Sequence, residues 1–132
     1  MLKWIFSFAA VVCAVLLAGC FAPNNNYLEA QDFAGCLKRD GLPVGEVREI
    51  PPDPFRANSA VAIKVGESEI GVYKYDRTSK VQEERLRKRE RTGRVYINGI
   101  PYPVEVYGSF MFMGLEKNPR KRDILKVIRR FN

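Results

Sequence analysis

Apolar and polar positions recur with two different periods along residues 27–132, and the changes of period divide the chain into nine elements. Ala30, Phe33 and Leu37 share one helical face and predict a helix over Tyr27–Asp40. Asn26 is its expected cap, Glu29 completes a capping box, and Gly41 followed by Pro43 stops it. Glu46–Ile50 alternates charged and apolar residues, as a half-exposed strand does, and Pro51-Pro52-Asp53-Pro54 forms a stiff connection. Val61, Ile63 and Val65 fall on one side of a strand, and Ile70 and Val72 do so on its return. Gly66-Glu67-Ser68 makes the turn between them. Tyr73 and Tyr75 point to the face opposite Val72.

Ser79 and Gln82 form a second capping pattern before Lys80–Arg91, a run of strong helix formers with only Val81 and Leu86 as apolar anchors. Thr92-Gly93 ends it. Arg94–Ile97 then leads into Asn98-Gly99, the pair that suits a type I′ hairpin turn, and Ile100–Tyr107 returns. Pro101 and Pro103 cannot donate to a ladder, so this strand is expected at an edge or with an irregular start. Phe110–Met113 is apolar on both faces and is expected in the middle of a sheet. Asn118 caps the last helix, with Pro119 at its first position and Ile124, Leu125, Ile128 and Phe131 as its stripe. The order is α-βββ-α-βββ-α. It predicts an α+β fold with an antiparallel sheet of about five to six strands and helices packed on one side.

The first 19 residues have a different pattern. Lys3 precedes an uncharged apolar run from Trp4 to Leu17, and the small residues Ala18 and Gly19 stand directly before Cys20. The run falls short of the roughly 20 apolar residues of a membrane span and has the layout of a secretory signal. Leu17-Ala18-Gly19-Cys20 resembles the lipobox of bacterial lipoproteins without a mismatch. The resemblance implies a diacylglycerol on the Cys20 sulfur, cleavage before Cys20, and often N-acylation of the new amino terminus. It gives three parts: a signal peptide (1–19), a lipidated tether (20–26) and one globular domain (27–132). Phe21 departs from the Asp that holds lipoproteins in an inner membrane, so in a host with two membranes the expectation leans towards the outer one. In layout alone, the rest of the chain resembles small exported bacterial lipoproteins of unassigned function.

Composition narrows the chemistry. Cys20–Asn132 is enough chain for one core. Histidine is absent, which removes histidine-activated nucleophiles and histidine metal sites. With Cys13 in the signal and Cys20 lipidated, Cys36 stands alone and reads as a small buried hydrophobe rather than a reactive thiol. No glycine-rich phosphate loop occurs, and Glu67, Glu69, Glu83 and Glu84 lack the spacing of a catalytic pair. No enzyme activity, cofactor or metal is expected.

Charge is unevenly placed. Residues 20–77 carry a net −2 and residues 78–132 a net +8. Two basic clusters stand out: Arg85, Arg87, Lys88, Arg89, Arg91 and Arg94, then Arg120, Lys121, Arg122, Lys126, Arg129 and Arg130. They suit an anionic surface or partner, or simply a solvated helix face. Export argues against nucleic acid. Tyr73, Tyr75, Tyr96, Tyr102 and Tyr107 recur on the expected strands, where tyrosine suits a half-wet sheet or an interface. The functional expectation is a membrane-anchored, non-catalytic lipoprotein that binds an envelope protein partner. The alternative is a basic module contacting anionic lipid, lipopolysaccharide or cell-wall polymer.

Overall fold

The computed structural model describes residues 23–53 and 55–132. The lipobox and Cys20 lie outside the described residues. Nine elements follow in order: α1 (Asp32–Arg39), β1 (Val44–Glu49), β2 (Ser59–Val65), β3 (Ser68–Lys74), α2 (Lys80–Thr92), β4 (Arg94–Ile97), β5 (Ile100–Tyr107), β6 (Phe110–Met113) and α3 (Lys121–Ile128). The strands form one six-stranded sheet in the order β1-β2-β3-β6-β5-β4, antiparallel at every pairing.

The alternating side chains of β2, β3 and β6 build two cores, one on each face. Val61, Ile63, Val65, Ile70, Val72, Phe110 and Phe112 face α1 and α3, which contribute Phe33, Leu37, Ile124, Val127 and Ile128. Ala60, Tyr73 and Met111 point the other way and meet Tyr75, Phe55 and Leu86 of α2. The α+β class and the strand count agree with the sequence pattern. The expectation that every helix lies on one side holds for α1 and α3 and is corrected for α2, which covers the opposite face. The cause is the two-sided apolar character of β3 and β6, which leaves a second hydrophobic face to bury. This arrangement also argues against an internal α-βββ repeat. A two-fold axis relating antiparallel meanders would run normal to the sheet and keep α1 and α2 on the same face.

Several boundaries differ from the pattern. Helix α1 starts at Asp32, not Tyr27, because Asp32 Oδ2 accepts from the Glu29 N–H and closes the preceding turn. Asn25 and Asn26 are bound into the domain instead of the tether. Asn25 is fully buried, accepts from the Ser109 N–H at 2.8 Å and donates to the Phe131 carbonyl at 2.8 Å. Asn118 does not cap α3 itself. Its Oδ1 accepts from the Arg120 N–H and its Nδ2 donates to the Val65 carbonyl, tying the turn before α3 to the end of β2.

Strand β5 is shared. Its first half, Ile100–Pro103, pairs with β4, and its second half, Val104–Tyr107, pairs with β6. In a two-residue hairpin the bonded positions alternate, and the Val104 N–H donates to Gly93 on the β4 side. Pro101 and Pro103 therefore turn their missing donors away from β4, along the stretch that β6 does not reach. Their strand is not a sheet edge, but its first half is open on one side. Asn98 and Gly99 have φ of 51° and 78°, as the type I′ turn requires.

Candidate binding site

Helix α2 is well capped and weakly anchored. The Ser79 hydroxyl accepts from the Gln82 N–H, and Gly93 closes the other end at φ 69°. Gln82 Oε1 accepts from the Asp76 N–H instead of completing a box with Ser79. Leu86 is its one buried residue. Val81 is 58% exposed, so the second expected anchor is absent.

The two basic clusters separate. Arg85 to Arg94 belong to α2 and β4, whereas Arg120 stands directly before α3 and Lys121 and Arg122 within it, on the other face of the sheet. Arg87 pairs with Glu83 at 3.3 Å, one helical turn away, and Lys121 pairs with Glu116. Arg91, Arg120 and Arg122 are exposed. Arg89 has a structural task. Its guanidinium donates to the hydroxyl of buried Tyr75 and stacks over that ring, 5.3 Å from the centroid. The Tyr75 hydroxyl donates in turn to the Phe55 carbonyl at 2.7 Å. Burial pushes the Tyr75 phenol above its ordinary range, partly opposed by the charge of Arg89.

Arg85, Lys88, Arg89 and Arg94 come together in a cleft of about 330 Å³, with Thr92, Tyr96, Phe55 and Arg56 completing it. Arg56 was not legible as part of this group. It sits outside both basic runs and reaches the cleft through the proline-rich connection, at a φ of 55°.

A second concavity, of about 370 Å³, is mostly apolar. Ile50, Ala62, Gly71, Tyr73, Tyr102, Pro103 and Met113 line it, with Arg48, Glu69, Glu116 and Lys117 among its charged residues. The small residues Ala62 and Gly71 leave the space. Tyr73 folds over Gly71, where an added Cβ would stand 2.9 Å from its ring. Tyr102 connects this groove to the β4–β5 hairpin, where Tyr96 and Ile100 are 61% and 55% exposed.

Several other charged groups are engaged in structure. Glu69 pairs with Arg48 at 2.8 Å, and Arg77 bridges Glu83 and Glu90 while donating to the Gly108 carbonyl. Glu69 lines the apolar concavity, whereas Glu67, Glu83 and Glu84 line neither it nor the basic cleft. Asp76 Oδ1 accepts from the Thr78 hydroxyl, the Thr78 N–H and Asn26 Nδ2, which hold its carboxyl below the ordinary range. Cys36 is half-buried against the first core, less enclosed than expected, and Arg39 Nη2 lies 3.3 Å from its sulfur. Among the described residues no group of three His, Cys, Asp or Glu side chains could hold a metal ion, and no helix is long and apolar enough to cross a membrane. No protein-family profile, curated protein or solved structure matches the chain.

Proposed function

We propose that the protein is a membrane-anchored envelope lipoprotein whose domain binds a protein partner and carries out no catalysis. The observation that supports this reading is the apolar groove lined by Tyr102, with exposed Ile100 two residues away on the same face of the β4–β5 hairpin. Tyrosine and aliphatic side chains around a bare concavity have the composition of an interface core, with a charged rim. Position supports the same reading. The chain enters the fold at Asn25, against Ser109 and Tyr107, whereas the hairpin tip lies at the other end of β5. Ile100 and Tyr107 stand at the two ends of the eight-residue β5, roughly 23 Å apart at the usual rise. An anchor on Cys20 would thus hold one end of the sheet near the bilayer and present the groove away from it.

The test is site-specific photocrosslinking of the full chain in native membranes. A photoreactive phenylalanine analogue at Tyr102 or Ile100 is expected to capture a discrete partner that the same probe at exposed Val81 does not. Equal capture at all three positions, or none, counts against the reading.

A second reading, a basic module that contacts an anionic surface, is favoured by the cluster of cations around the α2–β4 cleft. Its test is co-sedimentation with anionic and neutral vesicles at low and high salt. Binding to anionic vesicles that salt abolishes supports it, and indifference to lipid charge removes it.

A further inference from the structure

Arg85, Lys88, Arg89 and Thr92 are spaced i, i+3, i+4 and i+7, so one face of α2 carries three cations and a hydroxyl to the same cleft. Arg94 and Tyr96 of β4 form another wall, and Arg56 contributes from the loop beyond Phe55. The cleft has an apolar side in buried Phe55 and Val95, and no carboxylate of the described residues lines it. Outside the cleft, Arg48, Arg77, Arg87 and Arg130 hold acidic partners, whereas Arg39, Arg91, Arg120, Arg122 and Arg129 stand singly, so it is the convergence of cations on one concavity that sets the cleft apart. Among the described residues, Arg56, Arg85, Lys88, Arg89 and Arg94 form no ion pair.

Five like charges around one concavity repel one another, and apolar walls screen that repulsion less than open water does. The fold nevertheless fixes one of them there. Arg89 is held by the Tyr75 hydroxyl and ring, with its remaining guanidinium donors unspent on protein acceptors apart from a long contact to Met111 sulfur. Arg56 is exposed, and its backbone, at a φ of 55°, places it beside the cleft without holding its guanidinium. Unpaired guanidinium forks, that of Arg89 preplaced, match the oxygens of a phosphate group, which accepts two parallel hydrogen bonds per arginine and, as a terminal group or polyphosphate, carries more than one charge. A single carboxylate would leave most of the five cations uncompensated.

We propose that the α2–β4 cleft is a discrete site for a phosphate-bearing ligand, contacted by Arg85, Lys88, Arg89 and Arg94 with Arg56 beside them. This deepens the second reading by replacing a diffuse basic surface with a stoichiometric site.

The experiment is calorimetric titration of the full chain in a non-ionic detergent at constant low ionic strength. One arm uses tripolyphosphate, and the other uses a monomeric short-chain phosphatidylglycerol. The expected result is one ligand per chain, with binding weakened about tenfold or more by the Arg85→Gln/Lys88→Gln pair. Arg94→Gln, on a different element, should weaken it as well, and Arg122→Gln/Lys126→Gln on α3 should leave it unchanged. Binding of tripolyphosphate alone assigns a free phosphate or phosphate polymer, whereas binding of both assigns a headgroup as a possible occupant. No binding in either arm, or equal losses from the α2 and α3 pairs, overturns the site. If anionic vesicles still bind in that case, the diffuse surface reading survives without the cleft. Circular dichroism separates a lost site from a lost fold.

Discussion

Asn25 makes more of the tertiary structure than its position near the start of the domain would suggest. Its side chain links the β5–β6 turn to the end of α3, with bonds to Ser109, Phe131 and Tyr107. Gly108, at φ 60°, leaves room for it, and any Cβ there would collide with the amide. Asn25→Ala strands a buried N–H and a buried carbonyl, so it should lower stability by roughly 2–3 kcal/mol in chemical denaturation. Asp76, next to this region, gives a pH signature. Its carboxyl is held low by Thr78 first and Asn26 after, so its contribution is present above about pH 4 and is lost as the pH falls through the lowered value. Asp76→Asn should flatten the acid limb of stability against pH, and an unchanged limb would show that the three donors stabilise nothing. Neither asparagine was readable as a structural pin from sequence. Asn-Asn-Asn has the composition of a linker, and the partners of Asn25 lie more than 80 residues away.

Helix α2 rests on one apolar side chain, Leu86, together with the Arg89–Tyr75 contact and its caps. Leu86→Ala should cost about 2–5 kcal/mol as a core truncation. Hydrogen exchange should show the loss concentrated in Lys80–Thr92, with α1 and α3 protected on the other face. Uniform loss across all three helices would mean that the two cores fold as one unit. The existence of α2 was legible because its propensity and its Ser79 and Gly93 signals agree. Its side of the sheet was not, because sidedness depends on which strands lie beneath it. Strands were readable where period and turn chemistry coincided, as at Asn98-Gly99 and in the two-faced apolar run of β6. Helix α1 was overextended because Tyr27 and Ala30 fit its apolar period while the backbone around them forms turns. The basic residues of the α2–β4 cleft were readable as a charge run, but their convergence with Arg56 needs the third dimension.

Taken whole, the described residues form a sheet with helices on both faces and a bare apolar groove beside α2. Its first-half opening on β5 carries a further consequence. Two consecutive donors are missing at Pro101 and Pro103, on the side that β6 does not reach. Filled with ordinary residues, that stretch would offer a ladder to any extended chain, including the β1 edge of a neighbouring copy. Under the proposed anchoring, copies would meet at high local density in two dimensions, where such pairing would grow into fibres. The Pro101→Thr/Pro103→Thr variant should therefore assemble in a concentration-dependent way by light scattering, with little change in the monomer's melting. A variant that stays monomeric would assign the prolines to turn geometry alone. If the assemblies do form, these two rings act as a safeguard against polymerisation, letting the sheet keep a gap in its own pairing without recruiting its neighbours.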